Sequence, residues 1–137
     1  MNPGIRKYIA FLAFTLLSLC PISGYAQIVN FVKYGVENGM AQSQVECIAQ
    51  DDMGQLWIGT PSGLSMYDGI KFTNYSKDDS LAEDWITAAF NDSEGNMWFG
   101  HWGGSITKWD TTSKDFKSIR VESFNSYQQV SDFAEDT

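Results

Sequence analysis

Short apolar runs separated by turn-forming residues fill the chain from residue 45 onward. Residues 45–50 and 55–60 are rich in aliphatic and aromatic side chains, and the turn between them contains Asp51 and Gly54. Asp can hydrogen-bond its own backbone, and Gly accepts positive φ. These runs are too short for helices, and no 3.6-residue period persists beyond the first 26 residues. The pattern therefore predicts an all-β chain of brief antiparallel strands.

Two more strands are predicted at residues 64–67 and 70–75. Asp68 and Gly69 lie between them, and this pair is the strongest short signal for a two-residue type I′ hairpin turn. Four short strands in about 41 residues form the unit of a β-propeller blade. The first half of the chain thus predicts one such blade.

The chain matches itself when it is shifted by 41 residues. Phe31 and Tyr34 fall on Phe72 and Tyr75, and the offset becomes 42 after Gly104. The positions that recur in the turn and in the strand after it are Asp51, Gly54, Trp57 and Gly59 in the first copy, and Asp92, Gly95, Trp98 and Gly100 in the second. At an offset of 44, residues 130–136 resemble residues 86–92. We therefore predict repeats at 31–75 and 76–119, with a third begun at 120–137.

The predicted fold is all-β, with blades of four-stranded antiparallel sheets forming an incomplete propeller of about two and a half blades across residues 27–137. Trp57 and Trp98 would supply the large apolar surface between blades. Gly59 and Gly100 mark places where a strand bends or backbone approaches closely. A two-sheet sandwich built from a duplicated unit is the alternative. Because propellers close with four to eight blades, we expect the isolated chain to be poorly stable, or to associate with further blades or a second copy.

The N-terminus has the layout of a secretory signal. Arg6 and Lys7 precede an uncharged apolar run over residues 8–19, and small residues flank Tyr25 in a small-x-small site. We predict a signal peptide over residues 1–26 and a periplasmic mature protein. An uncleaved anchor and a lipoprotein at Cys20 are the alternatives. Cys47 is expected to behave as a small buried hydrophobe.

The net negative charge of the chain disfavours two classes of binding partner. The chain carries 17 acidic and nine basic residues, for a net charge of −8. Phosphate binding needs clustered Lys and Arg, so a nucleic-acid partner is disfavoured, as is an anionic membrane surface. A 15% aromatic content is typical of a folding chain.

The two copies of the repeat contain sequence motifs that resemble those of a known family. The first copy reads Val-x-x-Ile-x-Gln-Asp-x-x-Gly-x-Leu-Trp-Ile-Gly-Thr over residues 45–60, and the second reads Asp-x-x-Gly-Asn-Met-Trp-Phe-Gly over residues 92–100. Both resemble the two-component regulator propeller repeat. The second copy departs from it at His101 and Trp102, and it lacks the Asp-Gly hairpin.

The resemblance implies an N-terminal periplasmic sensor segment of a hybrid histidine kinase, which detects oligosaccharides in many such receptors. No kinase or receiver motif is present in the sequence, so we expect a non-enzymatic, truncated piece. A protein-interaction scaffold of the cell envelope is the second hypothesis. A propeller-fold lyase or hydrolase fragment, with His101 as its imidazole, is the third.

The candidate ligand-binding residues lie in the second copy. An aromatic ring can stack on the apolar face of a pyranose while a carboxylate accepts hydroxyl hydrogen bonds, which makes Asp84 and Trp85 candidates. His101 and Trp102 follow a predicted strand, where loops carry function. Core packing for Trp85 and a plain loop role for His101 are the alternatives. With one histidine in the chain, we expect no catalytic triad, no metal site and no cofactor.

Overall fold

The computed structural model describes residues 30–120 and 128–136. The predicted signal peptide lies outside the described residues, as do residues 121–127 and Thr137. Within the described parts, no helix has the length and apolar character needed to cross a membrane.

Two four-stranded antiparallel sheets make up the fold, and each sheet is a simple meander in which consecutive strands pair. The strands of the first sheet are β1 (Cys47–Gln50), β2 (Leu56–Thr60), β3 (Gly63–Tyr67) and β4 (Phe72–Tyr75). Those of the second sheet are β5 (Ile86–Asn91), β6 (Met97–His101), β7 (Ile106–Asp110) and β8 (Asp115–Ile119). A single turn of 3-10 helix precedes each sheet, at Val36–Asn38 and Lys77–Asp79. The all-β, four-strand unit predicted from the pattern is confirmed.

The connection between β3 and β4 is longer than predicted. Asp68 Oδ1 accepts hydrogen bonds from the backbone N–H groups of Ile70 and Lys71, at 2.8 Å each. This side-chain cap stabilises a loop over residues 68–71 and leaves Ile70 90% exposed. The prediction of a two-residue turn is therefore wrong: β4 begins only at Phe72, and the four-residue loop is closed by the Asp68 carboxylate together with a hydrogen bond from the Asp68 N–H to the carbonyl of Lys71 at 3.3 Å.

The core lies between the two sheets. Alternation along the strands turns Trp57, Leu64 and Met66 of the first sheet toward Phe99 and Phe116 of the second. Trp57 is 1% exposed, and its ring centroid lies 5.4 Å from that of Phe99. Aromatic pairs at this separation add to the stabilisation from buried area. The repeated tryptophan of the first copy is thus the centre of the junction between sheets.

Close approach at this junction requires Gly59. A Cβ atom at this position would lie 2.5 Å from Cys47 Sγ and 2.7 Å from Ile86 Cγ2. Because real side chains do not reach such distances, glycine lets β5 close against β2. Cys47 is half-buried beside it, and burial raises the pKa of its thiol to about 11.

Each repeated Asp holds both its own turn and its own tryptophan. Asp51 Oδ1 accepts from the backbone N–H groups of Met53 and Gln55, and its Oδ2 accepts from Trp57 Nε1 at 2.8 Å. Asp92 makes the corresponding bond to Trp98 Nε1 at 2.7 Å. We call this arrangement the Asp–indole clamp. It explains why Asp and Trp recur six positions apart: one carboxylate fixes the turn and the rotamer of the core residue together.

Removing the clamp should destabilise the fold. We expect Asp51→Ala to lower the free energy of unfolding by about 1–3 kcal/mol, because it leaves the buried indole N–H of Trp57 unpaired. Asp51→Asn keeps one of the two oxygen acceptors, so it can still cap the turn or accept from the indole, and it should lose less. Urea unfolding of both variants measures the difference, and equal losses in the two would contradict the clamp.

Candidate functional site

Two loops meet at one edge of the second sheet. One precedes β5 and carries Glu83, Asp84 and Trp85; the other joins β6 to β7 and carries Trp102. They meet because Ile86, the first residue of β5, pairs with His101, the last residue of β6. We call this place the tryptophan edge, formed by Glu83, Trp85, His101, Trp102 and Ser105.

The indoles of Trp85 and Trp102 stack on each other. Their ring centroids are 4.5 Å apart with an interplanar angle of 14°. The backbone N–H of Trp102 also donates to the carbonyl of Trp85 at 3.0 Å. The side chains remain 37% and 49% exposed, so the pair presents aromatic surface to solvent and does not belong to the core.

Glu83 holds the loop that carries Trp102. Its carboxylate accepts from the backbone N–H of Gly103 at 2.8 Å and from the hydroxyl of Ser105. Burial opposes ionisation of Glu83, but the hydrogen bonds from Ser105 and Gly103 outweigh it and hold the pKa of Glu83 below its usual value. Glu83 is therefore an anion at neutral pH that fixes the position of one half of the aromatic stack.

Asp84, unlike Glu83, bonds a residue that precedes it in the chain. Its Oδ1 accepts from the backbone N–H of Lys77 at 2.8 Å, at the start of the 3-10 turn. The side chain is half-buried. Asp84 thus fixes the approach of residues 77–84 to the edge, next to the stacked rings.

His101 is buried beneath the edge. Its Nε2 lies 2.7 Å from Thr107 Oγ1, and that hydroxyl oxygen also accepts from the backbone N–H of Ala82 at 3.0 Å. Burial lowers the pKa of His101 to about 4, although the charges of Glu83 and Asp84 act in the opposite direction. A neutral imidazole therefore links β6 to β7 and to the loop below Trp85.

The corresponding edge of the first sheet lacks the exposed tryptophans. At the offset of 41, Trp85 and Trp102 correspond to Gln44 and Pro61, and His101 corresponds to Thr60. Thr60 caps its own loop, donating to the carbonyl of Gly63 at 2.7 Å. The first repeat forms the same four-stranded sheet without aromatic rings at this edge. The fold therefore does not require the tryptophan edge.

The structure brings three of the four predicted ligand-binding residues, Trp85, Trp102 and His101, to the tryptophan edge, with Asp84 adjoining it. A ligand contact at any of them stays a prediction. Sequence reasoning missed the roles of Glu83 and Ser105, although the change from Gln42 to Glu83 between the repeats was a signal that could have found the first. Among the described residues, no group of three or more acidic, His or Cys side chains is placed to hold a metal ion.

Comparison with known proteins agrees with the repeat pattern. The profile of the family described as "Two component regulator propeller" matches residues 39–62 and 80–103. A histidine kinase of Formosa agariphila is 46% identical over 59 residues, covering 42% of this chain and 4% of the kinase. The chain therefore spans a small fraction of that relative's length.

A solved structure shares the fold. The extracellular domain of a hybrid two-component system from B. thetaiotaomicron superposes with a TM-score of 0.58 and 21% sequence identity, covering 66% of this chain and 13% of that one. Together with the two meanders, this likeness shows that the sheets are blades of an incomplete β-propeller. The two segments that match the two-component regulator propeller model lie one in each sheet, over residues 39–62 and 80–103.

Proposed function

We propose that this chain is a ligand-sensing segment of the extracytoplasmic propeller of a two-component receptor, without catalytic activity of its own. Its repeats, its likeness to a histidine kinase and its likeness to an extracellular receptor domain support this. The N-terminal pattern supports a periplasmic location. Signalling would follow from a ligand that binds one arrangement of the receptor more tightly than another.

The ligand site that we propose is the tryptophan edge, and the observation that carries it is the departure of the second repeat from the first. Both repeats keep the Asp–indole clamp and the glycine of the junction, whereas Trp85, His101 and Trp102 replace Gln44, Thr60 and Pro61 at one place. Exposed aromatic rings on a rigid sheet that does not need them for folding are typical of a binding surface.

The proposed ligand class is an oligosaccharide. The outer faces of the stacked indoles are flat and apolar, as a pyranose face requires, and the pair is held rigid by the carboxylate of Glu83. Rigid aromatic rings lose little conformational freedom when a ligand binds, which favours affinity. The acidic surroundings suit hydroxyl donors and disfavour anionic ligands.

The test is calorimetric titration of the chain with a panel of neutral oligosaccharides. We expect Trp102→Ala to weaken binding about tenfold, the equivalent of about 1.4 kcal/mol, because it removes half of the platform. Met53→Ala, which truncates an exposed side chain in the turn between β1 and β2, should bind as the parent chain does.

Two results would contradict the proposal. One is the absence of binding across the panel. The other is an oligosaccharide affinity that Trp102→Ala leaves unchanged, or that Met53→Ala reduces as much as Trp102→Ala does. A protein ligand captured at the same edge, with no glycan response, would favour the scaffold hypothesis instead.

A further inference from the structure

The tryptophan edge combines exposed aromatic rings with carboxylates that have no basic partner. Within the described part of the chain, the only ion pair lies between β7 and β8, at the opposite end of β7 from this edge. Glu83 and Asp84 accept hydrogen bonds from neutral donors instead, which are backbone N–H groups and the hydroxyl of Ser105. Such bonds stabilise the charge of a carboxylate without neutralising it. Two anionic groups therefore remain beside the stacked indoles.

The wider charge of the two loops is negative as well. Residues 76–85 contain four carboxylates and one lysine, and residues 101–105 contain no Asp, Glu, Lys or Arg. Arg120 is the basic residue on the side of β8, since it directly follows the residue that pairs with Ile106. His101 adds no positive charge at neutral pH, because burial lowers the pKa of its imidazole to about 4. Two basic residues against four acidic ones leave the edge with a net negative charge.

The exposed indoles attract cations by a second mechanism. The faces of an aromatic ring carry the negative part of its quadrupole, and tryptophan binds a cation over its face best of all aromatic residues. One such contact exists elsewhere in the chain, where Lys108 Nζ lies 5.0 Å from the ring centroid of Trp98. Among the described residues, no lysine or arginine lies over the ring of Trp85 or Trp102. The outer faces of the stack are thus open to a cation that a ligand supplies.

An amino sugar matches both features of the edge. Its pyranose face supplies the apolar surface that stacks on an indole, and its protonated amine supplies the positive charge. An N-acetylated sugar has the same ring without the charge, so it gains nothing from the carboxylates. An acidic sugar is repelled by them. A small polyamine has the charge but no ring face to cover the aromatic stack.

We propose, on the basis of the proposed function, that the tryptophan edge selects oligosaccharides whose sugars carry free, protonated amines. A pyranose ring lies on the outer face of an indole, and an ammonium group of the ligand contacts the carboxylate of Glu83 or Asp84. Each carboxylate oxygen can accept a second hydrogen bond, so the bonds that hold the loops do not have to break. Hydrogen bonds between charged groups are stronger than those between neutral groups, and this difference gives the selectivity.

The test compares two oligosaccharides that share ring and length and differ in acetylation of the amines. Calorimetric titration uses the trimers of glucosamine and of N-acetylglucosamine, at about pH 6 and about 0.1 M salt, where amines are protonated and His101 is neutral. We expect the glucosamine trimer to bind about tenfold more tightly. The preference should shrink at about 1 M salt, because salt screens the charges. Spermidine, a polyamine without rings, should bind more weakly than the glucosamine trimer.

A double variant assigns the preference to the two carboxylates. In Glu83→Gln, the amide oxygen can accept from the N–H of Gly103 and the amide nitrogen can donate to the hydroxyl oxygen of Ser105, so the loop stays held. Asp84→Asn keeps an oxygen acceptor for the N–H of Lys77. With both substitutions, the two trimers should bind with about equal affinity.

The matched control removes two carboxylates at the other end of β5. Glu94 is exposed in the turn that follows this strand, and Glu135 bonds Ser93 of the same turn. Six residues of strand span about 17 Å, which exceeds the screening length of about 10 Å at this salt concentration. The double variant Glu94→Gln, Glu135→Gln should therefore keep the preference for the glucosamine trimer.

Three results would overturn the proposed selectivity. If the acetylated trimer binds as tightly as the glucosamine trimer, the edge binds sugars without regard to their charge, and the proposed function stands while the selectivity falls. If spermidine binds as tightly as the glucosamine trimer, charge alone is recognised. If the control variant loses the preference as fully as the edge variant does, the net charge of the chain causes it. Because the comparison of ligands on the parent chain needs no variant, it decides the first two cases by itself.

Discussion

Replacing Trp57 with alanine is expected to lower the free energy of unfolding by about 3–5 kcal/mol, the usual range for truncating a buried aromatic residue. The side chain is 1% exposed and contacts aromatic rings of both sheets, including Tyr75 and Phe99. Domains of ordinary size have total stabilities of about 5–15 kcal/mol. The variant should therefore be marginally folded at best, and urea unfolding followed by fluorescence measures the loss.

Trp98→Ala is the matched control for this prediction. Trp98 occupies the same place in the second repeat and makes the same clamp bond to an aspartate. Because its ring is half-buried beside an open groove, truncation removes less buried apolar area, and the loss should be clearly smaller than for Trp57→Ala. Equal losses would mean that the clamp, and not the junction between sheets, determines the contribution of these tryptophans.

The different burial of Trp57 and Trp98 shows what the sequence could and could not predict about the fold. The repeat period, the strands and the turn glycines were predictable, because turn chemistry and apolar runs are local properties. Trp57 and Trp98 occupy the same position of the motif. Trp57 is buried under the following sheet, whereas Trp98 is half-buried among the described residues, with Lys108 Nζ 5.0 Å from its ring centroid. Burial of this kind depends on what packs against a strand, and a local motif carries no such information.

The tryptophan edge was likewise predictable from the sequence only in part. Trp85 and Trp102 could be selected from the sequence because each is an aromatic residue beside a predicted strand end. Their stacking could not, because it depends on the pairing of Ile86 with His101 and on the shift in register that follows within β5. The change from Gln42 could have singled out Glu83, but its partners could not be predicted, since Gly103 and Ser105 are 20 and 22 residues away along the chain.

Stability should fall on acidification because of His101. The pKa of this imidazole in the folded chain is about 4, against an ordinary value of 6.5, and burial is the main cause. Between these values the unfolded chain binds a proton that the folded chain excludes, so the free energy of unfolding rises with pH across this window. At 1.36 kcal/mol per pKa unit, the decrease between pH 6.5 and pH 4 is about 3 kcal/mol.

The substitution that isolates this effect is His101→Thr, because threonine is the residue at the corresponding position of the first repeat. It has no titrating group, and a hydroxyl can cap the loop as Thr60 does. Urea unfolding at pH values from 4 to 7 should therefore show a shallower dependence for His101→Thr than for the parent chain. Glu83 and Asp84, whose charges favour the imidazolium, remain in both proteins. Because His101 also helps to lower the pKa of Glu83, the difference in slope reports the coupled pair of His101 and Glu83. Identical slopes would mean that His101 is accessible enough to protonate in the folded chain, and the imidazole would then be a surface residue of the edge and not its buried support.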